Sequence, residues 1–114
     1  MLKRNVLRKK GDFSRIYNKG TSVGERCLVL IYKENGLDFN RRAFLASKKV
    51  GGSVLRNRAR RLMRESYREE ENKIQQGYDL IFVARKTMID LKCADVKKSM
   101  EAAIRKAKLT EKSR

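Results

Sequence analysis

Apolar residues fall into blocks whose spacing changes along the chain. Within Gly11–Gly20, Phe13, Ile16 and Tyr17 recur at i, i+3 and i+4. That spacing places them on one face of a helix, with Gly20 as its left-handed stop. Residues 26–33, Arg-Cys-Leu-Val-Leu-Ile-Tyr-Lys, are a nearly continuous run of strand formers and predict a well-covered strand. Asn35-Gly36 predicts a reverse turn, and therefore an antiparallel partner strand over 41–47, Arg-Arg-Ala-Phe-Leu-Ala-Ser. Gly51-Gly52-Ser53 breaks the pattern and offers Ser53 as N-cap of a long helix. That helix is expected to run to residue 75, with Gly77 closing it. Tyr78–Ala84 predicts a second buried strand. Val96, Met100, Ala103, Ile104 and Ala107 mark one face of a last helix over 94–109, and 110–114 is expected to be a frayed tail. The order of helix, two or three strands, helix, strand and helix predicts one mixed layered domain over 1–114, with no internal repeat.

The long helix carries the clearest division of faces. Leu55, Ala59, Leu62, Met63 and Ser66 lie, at about 100° per residue, within roughly a third of its circumference. Asn57, Arg60, Arg61, Arg64 and Arg68 fall opposite. One side docks on a core and the other presents closely spaced guanidinium groups. Between Arg56 and Arg64 there are five arginines and no acid, so this is not a self-neutralised solvent face. Glu65, Glu69, Glu70 and Glu71, farther along, read as i,i+4 partners of Arg61, Arg64 and Arg68.

Charge sharpens the picture. Lys and Arg total 30 against 13 Asp and Glu, a formal net charge of +17. A small domain so charged repels itself until a polyanion neutralises it, and guanidinium forks match phosphate oxygens in pairs. Nucleic acid is the expected partner. No apolar run is long enough to span a membrane, and residues 1–10 are basic without the apolar core of a secretory signal. The expected location is cytoplasmic.

Side chains for protein-borne catalysis are scarce. There is no histidine and no glycine-rich phosphate loop, and Gly51-Gly52 reads as a tight connection. Cys27 and Cys93 stand far apart without a CxxC, which predicts two small buried apolar residues rather than a metal site or disulfide. Asp12 and Asp90 read as helix-start residues. Phe13 and Tyr17 suit either core packing or base stacking.

Residues 47–68, Ser-Lys-Lys-Val-Gly-Gly-Ser-Val-Leu-Arg-Asn-Arg-Ala-Arg-Arg-Leu-Met-Arg-Glu-Ser-Tyr-Arg, resemble the bacterial ribonuclease P protein family. That family's hallmark is S-K-K-x-G-x-A-V-x-R-N-R-x-K/R-R-x-x-R-E/Q, from which this chain departs mainly at Ser53. Asp12-Phe13, Tyr17 and Gly20 fit its opening D-F-x-x-x-F/Y-x-x-G, and Asp79 to Arg85 fit its D-x-x-x-x-A-R. The resemblance covers residues 3 to 108.

It implies an α+β fold, an α/β sandwich of order αβββαβα. The sheet would be mixed and four-stranded, of the ribosomal-protein-S5-domain-2-like kind, with a left-handed βαβ crossover. It also implies the protein subunit of an enzyme whose catalyst is RNA. That RNA, with Mg²⁺ held mainly by the RNA subunit, hydrolyses precursor tRNA to release the 5′ leader. One protein would serve one RNA subunit, with no catalytic side chain and no metal ligand of its own. The implied leader-binding residues are Phe13, Tyr17, Ile31, Arg56, Asn57, Arg60 and Arg64. Ile31 stands where the family has an aromatic; its neighbour Tyr32 points to the opposite face unless a bulge shifts the strand's phase. The implied contacts to the catalytic RNA are Lys48, Lys49, Arg58, Arg61 and Arg68, with the basic segment 1–10 as an extra one. A non-catalytic structural RNA-binding protein of ribosomal type would share charge, size and helix. A helix-turn-helix DNA reader is disfavoured because a strand and Gly-Gly precede the arginine helix.

Overall fold

A computed structural model describes residues 5–90 and 93–110; the first part of the basic amino-terminal segment and most of the expected tail, 111–114, lie outside them. Three helices and four strands follow in the order α1 (Lys10–Lys19), β1 (Thr21–Gly24), β2 (Leu28–Glu34), β3 (Arg41–Leu45), α2 (Ser53–Glu70), β4 (Tyr78–Ala84) and α3 (Cys93–Lys106). The strands form one mixed sheet in the order β1-β2-β4-β3. β1 and β4 both pair antiparallel with β2, while β3 and β4 are parallel neighbours joined through α2.

The expected hairpin between 26–33 and 41–47 does not form. β4 lies between those two strands, and β3 pairs with β4. Gly36 does adopt a left-handed φ of 74°, but the loop it opens is braced elsewhere. Asn35 Nδ2 donates to the Phe39 carbonyl at 3.1 Å and to Asp79 Oδ1 at 3.0 Å, so the turn is tied to β4.

β4 is buried on both faces, which explains its run of apolar residues, interrupted only by Asp79. Leu28, Leu30, Leu80 and Phe82 belong to a large core with Met63 and Tyr67 of α2 and Val96, Met100 and Ala103 of α3. Ile81 and Ala43 belong to a smaller core on the other face, with Ile16 of α1 and Leu7. Cys27 is free and fully buried, as its type predicted.

Several boundaries differ from the sequence reading for local reasons. Ser53 is the first residue of α2 and not its cap; Gly52 takes that place, without a side-chain cap bond. The preceding Gly51 has φ 145°, and a Cβ there would meet Leu55 Cδ1 at 2.6 Å. Gly20 ends α1 in an extended conformation, φ −79°, so it is no left-handed stop. Its glycine is needed for space, since a Cβ would lie 2.4 Å from the Ile16 carbonyl oxygen and 2.8 Å from that of Tyr32. α2 stops at Glu70 and a 3-10 turn follows over Glu71–Lys73. Ile74 then bridges Thr110, and Gln75 N–H donates to the Leu109 carbonyl at 2.8 Å, which takes the chain away from the helix axis. Asp12 sits in the first turn of α1, whereas Asp90 closes a 3-10 turn that starts at Lys86.

Candidate nucleic-acid interface

α2 buries Ala59, Met63, Ser66, Tyr67 and Glu70, which confirms the docking face and extends it by Tyr67 and Glu70; Leu55 and Leu62 are half-buried. Asn57, Arg58, Arg61, Arg64 and Arg68 are exposed, and Arg56 and Arg60 are half-buried. Arg60 Nη2 donates to Asn57 Oδ1, one turn back.

The expected pairing of these arginines with nearby glutamates is not what forms. Glu69 binds Lys97 of α3 at 3.0 Å, and Glu70 binds Lys73 at 3.4 Å. Among the described residues no arginine of α2 makes an ion pair. Buried Glu70 points inward and Glu69 is drawn across to α3, so the guanidinium surface stays unneutralised. Lys48 and Lys49 are exposed in the turn just before the helix. Lys49 also borders a hollow of about 800 Å³ with Ser47, Arg85, Lys86 and Thr87.

Beside this helix runs a groove of about 280 Å³, lined by Val6, Leu7, Phe13, Arg42, Ala43, Phe44, Leu45 and Arg64. Phe13 and Arg64, two of the residues that the family resemblance implies for leader binding, both line it. Ile31 packs against the smaller core, as Phe13 does, but does not itself line the groove. Tyr17 is 49 % exposed on α1, and partial burial of its ring pushes its hydroxyl pKa up. Tyr17, Arg56, Asn57 and Arg60 lie outside the groove lining. Tyr32 does not take the place of an aromatic at Ile31. The β2–β4 ladder runs without a bulge from Leu28↔Ala84 to Glu34↔Tyr78. Tyr32 therefore faces the opposite side, its ring edge-on to Tyr78 at 6.3 Å.

α1, which carries Phe13, is held to the sheet by an ion network that residue patterning did not reveal. The Asp79 side chain is 1 % exposed. Its Oδ1 accepts from Arg41 Nε at 2.8 Å, and its Oδ2 from Arg41 Nη2 at 2.7 Å and Arg15 Nη2 at 3.1 Å. Asp12 joins from α1, at 3.3 Å from Arg15 and 3.5 Å from Arg41. The hydrogen bonding to Asp79 pushes the Arg41 pKa up. In the large core, burial pushes the Tyr67 hydroxyl up to about 12, against the opposing pull of Arg42. Among the described residues no three His, Cys, Asp or Glu side chains converge on a common point. No helix there is long and apolar enough to cross a membrane.

Fold and site together define a small basic α+β domain in which an unneutralised arginine helix borders an aromatic- and arginine-lined groove. The family profile for Ribonuclease P matches residues 1–108. The chain belongs to the ribonuclease P protein family. The ribonuclease P protein component of Alkaliphilus oremlandii is 44 % identical over 105 residues, covering 92 % of each chain. That of Caldanaerobacter subterraneus is 41 % identical over 105 residues, covering 92 % of this chain and 90 % of its own. The solved Staphylococcus aureus RNase P protein superposes with a TM-score of 0.86 at 34 % identity, covering 96 % of this chain and 100 % of its own. The Thermotoga maritima protein gives 0.80 at 26 % identity, covering 90 % and 97 %.

Proposed function

We propose that this chain, as the protein subunit of ribonuclease P, binds the RNA subunit through the outer face of α2 and grips the 5′ leader of precursor tRNA in the Phe13–Arg64 groove. The meeting of Phe13 and Arg64 in one groove supports this reading most directly. An unpaired nucleotide offers an aromatic face to stack and a phosphate to pair, and the groove supplies a partner for each. A leader lying there leaves Arg58, Arg61 and Arg68 free for the larger RNA, with Lys48 and Lys49 at the helix entrance. Mg²⁺, held mainly by RNA phosphates, supplies the activation of water for hydrolysis; the protein's part is to bind and orient. One protein per RNA subunit, working in the cytoplasm, completes the reading.

The test is reconstitution with a bacterial ribonuclease P RNA at low Mg²⁺, using tRNA with and without a 5′ extension. The protein is expected to stimulate leader removal and to be inactive alone. Binding of the RNA without any stimulation would leave a structural RNA-binding role instead.

A further inference from the structure

Arg42 is a cation that the fold holds in place without neutralising. Its neighbour Arg41 is spent on Asp79 and Asp12. Arg42 points to the other face of β3, and among the described residues no carboxylate lies within ion-pair distance of it. Its guanidinium carbon lies 5.4 Å from the centroid of the Tyr67 ring, and Nη1 donates to the Asn5 carbonyl at 3.1 Å. Nε is buried with no hydrogen-bond partner. A buried donor left unpaired is destabilising, so the position is hard to explain by the fold alone. Aromatic face and carbonyl fix the orientation of a planar fork that retains unused donors.

The main chain beside it is also unfinished. Arg42 N–H donates to the Asn5 carbonyl, and its own carbonyl accepts from Leu7 N–H, each at 3.0 Å. The amino-terminal segment thus extends the sheet past β3, but only as far as Leu7, because α1 begins at Lys10. Strand geometry repeats every two residues, so Phe44 turns its amide and carbonyl toward the same edge as Arg42. The edge opens there onto the groove that Phe44 itself lines.

We propose that Arg42 and the open β3 edge at Phe44 form a ledge that holds one leader nucleotide. The phosphate rests on Arg42, the base lies toward Phe13, and the free base edge meets the Phe44 amide and carbonyl. Only an unpaired nucleotide fits this role, since a duplex has already used those base-edge groups. The assignment rests on the groove being the leader site, and the test separates the two.

Holoenzyme assembled on a bacterial RNA subunit is titrated with precursor tRNA carrying a leader of several nucleotides, and with leaderless tRNA. The proteins compared are wild type, Arg42→Met, Arg42→Lys and Phe13→Ala, with thermal melts alongside. Arg42→Met should weaken binding of the leader-bearing RNA by about tenfold or more, the scale of a lost charge-assisted contact, and leave leaderless tRNA unchanged. Arg42→Lys keeps the charge but loses the fork, so it should recover only part of that loss; it carries the test if the Met variant melts. Should Arg42 variants bind like wild type while Phe13→Ala loses leader dependence, the ledge is overturned and the groove stands. Should none of the variants change the leader dependence, the groove assignment falls with it.

Discussion

Replacing Asp79 with Asn tests what holds α1, and with it Phe13, against the sheet. The substitution keeps the shape of the side chain and removes its charge. Asp79 accepts from Arg41, Arg15 and Asn35, and its side chain is 1 % exposed. Removing one member of a buried ion pair costs about 3–5 kcal/mol, because the partner charge is left stranded. Arg41 retains 21 % exposure and a second carboxylate, Asp12 at 3.5 Å. That places the expected loss near the lower limit, at about 3 kcal/mol. For a domain of 114 residues this corresponds to a fall in Tm of about 10 °C. Urea unfolding with linear extrapolation measures it, provided the slope with denaturant is unchanged. A double-mutant cycle with Arg41→Met isolates the pair, and exchanging both partners, Asp79→Leu with Arg41→Met, should return much of the stability. Affinity for leader-bearing tRNA should fall with the single variant, since α1 loses its tether. A loss below about 1 kcal/mol, the level of an exposed pair, would refute the claim that this network anchors the helix.

Three further expectations concern packing and the arginine surface. Met63→Ala, at a fully buried position, should cost about 2–5 kcal/mol in chemical unfolding without changing the ratio of leader-bearing to leaderless binding. Gly20→Ala places a Cβ 2.4 Å from the Ile16 carbonyl oxygen and should lose about 1–3 kcal/mol, whereas Gly24→Ala, with nothing nearer than 3.7 Å, should melt like wild type. Arg60→Ala with Arg64→Ala should weaken binding of leader-bearing substrate, and Arg61→Ala with Arg68→Ala should weaken assembly with the RNA subunit at any leader length, by about 1–3 kcal/mol per lost contact. Identical leader-length profiles for the two pairs would refute this division of the helix.

How much of this was legible in the sequence depended on whether the cause was local. β4 is buried on both faces, so its residues 78–84 stand out as one apolar run, and the structure bounds it at the same residues. The two faces of α2 follow from helical periodicity alone. Strand neighbours do not: Asn35-Gly36 reverses the chain but does not decide which strand arrives beside β2. β1 is short, with three of its four residues exposed, and carries no alternation to mark it. Asp79 is a lone acid inside an apolar run, and its partners Arg15 and Arg41 lie 64 and 38 positions away. Motif matching singled out Asp79 without showing what it does. The groove was half legible: Phe13 and Arg64 came from the family pattern, but Arg42 belongs to no motif, and only the β3 edge and the Tyr67 ring give it a role.

The placement of the acids explains why so basic a domain folds and still offers its charge. In the described ion pairs, carboxylates engage Arg15, Arg41, Lys73, Lys97 and Lys106. Those contacts join α1 to the sheet through Asp12 and Asp79, α2 to α3 through Glu69 and Lys97, and α3 to the segment before β2 through Glu25 and Lys106. In these pairs negative charge ties elements together, and among the described residues none of the pairs reaches an arginine of α2. Part of the chain's net charge of +17 is therefore left unbalanced on the outer face of that helix, where like charges repel in the free protein. An RNA that binds this surface relieves the repulsion, and it finds the arginines in fixed spacing only in the folded state, so folding and RNA binding reinforce each other. The same argument makes each unpaired arginine of α2 worth more to the complex than to the isolated fold, and assigns the buried Asp79 network the reverse role.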